Sequence, residues 1–238
     1  MTTTMDSDPV ADARDLVAEL FPHAVWALVT GSVLTELRTA GSDLDIVVCL
    51  PDGDPDTPHR ASRRFRGWPV ELFVHDAETL AHYLALELPE RRPSLHRMIT
   101  TGVAVAGDPA GPRAECARVL AAGPPPLTRE EIDRQRYALT DLMDDLNHAV
   151  DAAERITLTA TGWVAAGEAA LRLGDHWVGH GKWLLRELRD MDPELAGEWL
   201  TAAGSATLTA DFAREILDRA GGPLFDGYRA AGKRPRSA

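Results

Sequence analysis

Gly123-Pro124-Pro125-Pro126 breaks this chain near its middle. Proline fixes φ and removes an amide donor, so three in a row behind a glycine end any helix and make a stiff connector. Strand-like and helix-like stretches alternate before the break, and beyond Leu127 the strand signals stop. The expected fold is therefore α+β, with a short mixed sheet and helices over residues 1–122 and an α-helical bundle over 127–238. A length of 238 residues suits one large or two small domains with buried cores.

One stretch of the first part carries most of the polar chemistry. The apolar run 24–29 ends in Thr30-Gly31-Ser32, a helix-compatible segment follows over 33–40 and breaks at Gly41-Ser42, and a second strand is expected over 43–50. Gly31 and Ser32 then stand at a strand-to-helix corner, where a missing Cβ lets backbone amides approach an anion and a helix N-terminus offers partial positive charge. Strand side chains alternate faces, so Asp43 and Asp45 share a side while Leu44 turns away. Another carboxylate, Glu71, lies in the strand-like run 69–75. Taken singly these pieces are ordinary: a cap, a strand entry and an edge-strand surface residue. Their order is what carries information.

Gly31-Ser32, ten intervening residues, then Asp43-Leu44-Asp45, with Glu71 between Val70 and Leu72, resembles the nucleotidyltransferase superfamily of DNA polymerase beta type. The resemblance implies that Asp43 and Asp45 hold two Mg²⁺ ions, that Glu71 holds the one on the nucleophile side, and that Gly31, Ser32 and Ser42 meet the phosphates of ATP or another NTP. Mg²⁺ takes oxygen ligands and sits between carboxylates and nucleotide phosphates. Two such ions about 3.5–4 Å apart would steady the attacking and leaving oxygens of an in-line displacement.

The rest of the first part reads as scaffold. Residues 9–21 have apolar positions three and four apart, a helix to pack on the sheet. The Pro-Asp-Gly-rich run 51–58 is a loop, and the arginines at 60, 63, 64 and 66 read as a solvated connector or as contacts to triphosphate. Asp76 should cap a helix, a short helix is expected over 93–101, a closing strand over 103–106 and a helix over 113–122.

In the second part, Thr128 and Glu131 form a capping box opening a helix whose stripe runs from Ile132 to Val150, with Asp141, Asp144 and Asp145 on a solvated face. The run 156–173 is apolar nearly all round and is expected to be buried among other helices, which follow over 181–191, 193–203 and 210–220. Its charged pair, Glu168 and Arg172, has two readings. Desolvation would raise the pKa of a carboxylate there toward that of a general base, or the two side chains form a plain i,i+4 ion pair. Gly181-Lys182-Trp183 resembles a Gly-Lys-Trp in the helical half of kanamycin nucleotidyltransferase, which implies a phosphate contact for Lys182; the catalytic glutamate of that enzyme, four residues earlier, is Val178 here.

The net charge of -12, from 37 acidic and 25 basic residues, disfavours nucleic acid as a partner, because that binding rests on Lys and Arg neutralising phosphates. It favours a cationic small molecule or a protein. Cys49 and Cys116 have no metal or disulfide spacing, the first residues lack a basic start and an apolar core, and no apolar run reaches membrane length. A cytoplasmic location is expected, with no membrane partner and the homodimer left open. These readings converge on transfer of a nucleoside monophosphate, AMP from ATP first, to a hydroxyl of a small acceptor such as an aminoglycoside-like antibiotic, with release of pyrophosphate. Two rivals are a protein-modifying nucleotidyltransferase of toxin–antitoxin type, which would co-purify with a partner, and a non-catalytic nucleotide-binding module, which the presence of all three carboxylates argues against.

Overall fold

A computed structural model describes residues 7–232, which form two compact units that divide between Ala122 and Gly123. The expected loose ends, the first residues and 233–238, lie largely outside the described residues. The fold is α+β.

The first unit is built on a five-stranded mixed sheet of β1 (Trp26–Thr30), β2 (Leu44–Cys49), β3 (His59–Phe65), β4 (Trp68–His75) and β5 (Val103–Gly107), in the order β3-β4-β2-β1-β5. The β2–β4 pair is parallel and the other three pairs are antiparallel. Alternation assigns the two faces. Leu44, Ile46 and Val48 of β2 and Val70, Leu72 and Val74 of β4 pack with Ala13, Leu16 and Val17 of α1 (Pro9–Leu20). Val47 and Cys49 point the other way, toward Leu80 of α2 (Ala77–Glu90), Leu95 and Ile99 of α3 (Ser94–Thr101) and Cys116 of α4 (Ala110–Ala122). Asp12, on the sheet side of α1, accepts from the Trp68 indole (2.9 Å) and from Arg66 (2.9 Å), so this buried carboxylate is partnered.

The arginine run is not a connector. It forms edge strand β3, whose charged, mostly exposed side chains suit a strand with one unpaired rim. Only Ala61 and Phe65 turn inward, too few apolar positions for the alternation to show against three arginines. The expected helix over 33–40 is also absent: a single 3-10 turn, Ser32–Leu34, gives way to extended backbone at Thr35. Thr35 Oγ1 donates to the Ser32 carbonyl and accepts from the Leu37 amide, a local side-chain bond that competes with helix formation.

The second unit holds α5 (Arg129–His148), α6 (Ala152–Leu173), α7 (Lys182–Met191), α8 (Pro193–Thr201) and α9 (Ala206–Arg219). The Thr128–Glu131 capping box is present, and Asp141, Asp144 and Asp145 are exposed. Val150 is fully exposed, outside α5, because the chain turns there to place Asp151 as the N-cap of α6. Helix α6 is buried on one face rather than all round: Ile156 is 72% exposed, while Gly162 and Gly167 let neighbours approach. A Cβ on Gly162 would stand 2.8 Å from Met143, and one on Gly167 2.7 Å from the Trp199 indole nitrogen. Trp163 and Trp199 stack at 4.0 Å and each indole N–H donates to the other residue's carbonyl. Among the described residues no helix is long and apolar enough to cross a membrane.

Candidate active site

Thr30, the last residue of β1, pairs with Asp45 near the start of β2, and Asp45 pairs with Glu71 of β4. The sheet register alone thus aligns the glycine-serine corner, Asp45 and Glu71 across three neighbouring strands. Asp43, one residue ahead of β2, completes the group. Each of Asp43, Asp45 and Glu71 is half-buried and offers an oxygen within 4.8 Å of the others. Among the described residues this is the one set of acidic, histidine or cysteine side chains that converges so.

Gly31 makes the convergence possible. Its φ of 99° lies where side chains other than hydrogen are strained, and a Cβ built on it would meet Asp45 Oδ2 at 2.6 Å. Behind it, Ser42 is buried; its hydroxyl accepts from the Thr39 amide (3.0 Å) and lies 3.2 Å from Ser32 Oγ. Either hydroxyl can donate in that pair; where Ser42 does, the Ser32 hydroxyl keeps its own proton for an anion. The 3-10 turn is too short to supply a helix dipole. Any phosphate affinity here therefore rests on Ser32, on backbone amides and on cations held by the carboxylates.

Arg60 of β3 donates to Glu71 at 2.5 Å and lies over the Phe73 ring at 4.7 Å. Its guanidinium meets one of the three carboxylates that could hold a metal. The pair is largely exposed, so it contributes about 0–1 kcal/mol and yields to a stronger cation. The donor chemistry fits Mg²⁺: hard carboxylate oxygens, space kept open by Gly31 and a positive group already drawn to Glu71.

Gly31, Ser32, Ser42, Asp43, Asp45 and Glu71 are thus brought together in the first unit. Glu168 and Lys182 belong to the second. Glu168 is half-buried in α6, and Lys182 is exposed as the first residue of α7, behind Gly181 at φ 55°.

Sequence reasoning missed the surroundings of Glu71 further along β4. Period two puts Phe73 and His75 on the same face as Glu71, and that alternation was the available signal. Burial pushes the His75 pKa below its ordinary value, against the opposing pull of Asp76 and with His59 acting in the same sense as burial. Asp76 itself is held down to about 2, chiefly by the Thr79 hydroxyl and amide that complete the α2 cap. Burial raises the Cys49 thiol to about 11, so it is not a nucleophile.

No protein-family model matches this sequence, and no curated protein does. Among solved structures the fold is similar to a nucleotidyltransferase-like protein from Exiguobacterium sibiricum, at 13% sequence identity and a TM-score of 0.45, over 89% of this chain and 75% of that one. The likeness is one of chain path and assigns no residue a role.

Proposed function

We propose that this protein is a metal-dependent nucleotidyltransferase that moves a nucleoside monophosphate from an NTP, ATP first, to a hydroxyl of a small acceptor and releases pyrophosphate. The observation that carries the reading is the convergence of Asp43, Asp45 and Glu71 within 4.8 Å beside the Gly31–Ser32 corner. Divalent ions held by the three carboxylates would supply charge neutralisation for the phosphates and lower the pKa of the acceptor hydroxyl. Ser32 donates to a β- or γ-phosphate oxygen, and Ser42 fixes the direction of that donor. The acceptor oxygen forms a bond to the α-phosphorus, the bond from that phosphorus to the α,β-bridging oxygen breaks, and the hydroxyl proton passes to a base.

Calorimetry tests the first half of this reading. ATP binding is expected to need Mg²⁺ and to weaken by about 1.5–3 kcal/mol in Ser32→Ala, the range for a hydrogen bond to a charged group. Affinity unchanged by EDTA would remove the metal from the proposal.

Glu168 is the proposed base, on the chemistry of its helix: it and Arg172 are the charged residues between Ile156 and Gly174. Glu168→Gln is expected to lower turnover about 10²-fold or more with ATP affinity unchanged, and to lose the acid limb of the wild-type rate profile. A variant that turns over normally but melts earlier would show Glu168 to be structural.

A further inference from the structure

Beyond Glu71, the same face of β4 opens into a cavity of about 640 Å³ between the β3–β4 edge and helices α2 and α3. Phe73, Tyr83, Leu86 and Met98 give it apolar walls, and His75 and Arg60 supply polar groups. The volume falls in the range of small-molecule sites, about 300–1,000 Å³. Arg60 joins the two places, since it lines the cavity and also holds Glu71.

His75 gives a second, independent sign of a ligand. It is 6% exposed, packs at 5.2 Å against the Tyr83 ring, and its buried Nδ1 has no hydrogen-bond partner among the described residues. A buried polar atom left unpaired is unfavourable, and a ligand partner would relieve it.

Position along the sheet says which substrate belongs there. In-line displacement puts the attacking oxygen opposite the leaving pyrophosphate. Gly31 and Ser32 lie beyond the start of β2, beside Asp45, whereas the cavity lies toward the far end of β4, past Glu71. His75 is four positions on from Glu71, about 13 Å along an extended strand. With phosphates at the serine end, the cavity is on the attacking side.

Its chemistry disfavours a polycation. Of two carboxylates on the lining, Glu87 already accepts from the Leu95 and His96 amides and contacts the His96 ring, while Arg60 and Arg92 add positive charge.

Building on the transferase reading above, we infer that this cavity holds the acceptor, and that the acceptor is a flat, ring-containing alcohol or phenol whose body lies on Tyr83 and on the Arg60 guanidinium that covers Phe73. A polar group at its far end bonds His75, whose ring turns to bring the buried Nδ1 to the cavity wall, and its reactive hydroxyl reaches the metal side of Glu71. That oxygen takes the nucleoside monophosphate, its proton leaves to the base and pyrophosphate departs.

The test uses 2,6-dihydroxynaphthalene as the probe, with a hydroxyl at each end of a planar body, and kanamycin as the polycationic comparator. The full chain with Mg-ATP is expected to release pyrophosphate faster with the probe than with kanamycin. His75→Phe keeps the ring and deletes Nδ1; Leu86→Arg blocks the mouth at a side chain 50% exposed, where the fold tolerates change. Each should raise the probe's KM about tenfold, the effect of roughly one hydrogen bond, with Mg-ATP affinity unchanged. His75→Phe should also melt no earlier than wild type, since the deleted atom has no partner to lose; a structural histidine would melt earlier. If kanamycin stimulates release, the probe does not, and neither variant matters, the acceptor inference falls while the transferase stands. If Mg-ATP fails to bind, both fall, and probe binding seen by ligand-detected NMR would then mark a site without a transfer role.

Discussion

Asp45→Asn, and equally Asp43→Asn, is expected to reduce nucleotide transfer by about 10³-fold or more while the first unit remains folded, a loss of the order seen when a preorganised charge partner of the transition state is removed. Each substitution keeps the shape of the side chain and deletes one negative charge from a trio whose oxygens stand within 4.8 Å of one another. That trio is held together by strand pairing, Thr30 with Asp45 and Asp45 with Glu71, so the backbone does not depend on the charges. For Asp43→Asn, fewer like charges in one place should leave thermal stability equal or slightly higher in the metal-free protein. Stability and activity thus move in opposite senses, which separates a functional carboxylate from a structural one. Turnover near that of wild type in either variant would sink the metal assignment. Glu71→Gln should also be severe, and it should free Arg60.

Gly31→Ala is expected to produce a comparable failure through geometry rather than charge. The new methyl group would require a non-glycine residue at φ 99° and would stand 2.6 Å from Asp45 Oδ2. The backbone conformation alone costs about 1–3 kcal/mol in this essentially glycine-only region. Relief of the contact needs either the Asp45 carboxylate or the Ser32 turn to move, and a displacement of about 1 Å in a reacting constellation can lower a rate 10²-fold. The variant should therefore bind Mg²⁺ more weakly and turn over at least about 10²-fold more slowly, with a modest fall in melting temperature. Wild-type metal affinity in Gly31→Ala would show that the corner and Asp45 are not coupled.

The parts of this architecture that the sequence displays are those where one local rule decides. Asp43, Leu44 and Asp45 alternate because strands alternate, and Leu44 is indeed fully buried while its neighbours are not. Asp76 and Thr128 announce their helices because a cap needs only residues within one turn. The departures occur where a distant partner or a side chain overrides the pattern. Thr35 diverts 33–40 from helix by bonding its own backbone, and β3 is a strand because β4 offers it an edge, although its arginines read as solvated coil. Helix α6 looked uniformly apolar because alanine and glycine count as apolar; only their contacts with Trp199 and Met143 reveal that one face is packed and the other open. Of the candidate site, the carboxylates were legible in their spacing. The tie from Arg60 to Glu71 and the cavity beside His75 depend on strand order and helix placement, which no linear pattern of residues contains.

The stacked Trp163 and Trp199, 4.0 Å apart and within 8° of parallel, give the helical unit an optical signature of its own. Rings held so closely share excitation, so the pair should contribute a near-ultraviolet circular dichroism band that exists only while α6 and α8 remain in register. Loss of fixed aromatic packing erases such a band even where helix content survives. In a denaturant titration, that band would follow α6 and α8, whereas the intrinsic fluorescence of the Trp163→Phe/Trp199→Phe chain would give more weight to Trp26 and Trp68 of the sheet. Comparing the two curves would reveal whether the halves melt together or one after the other.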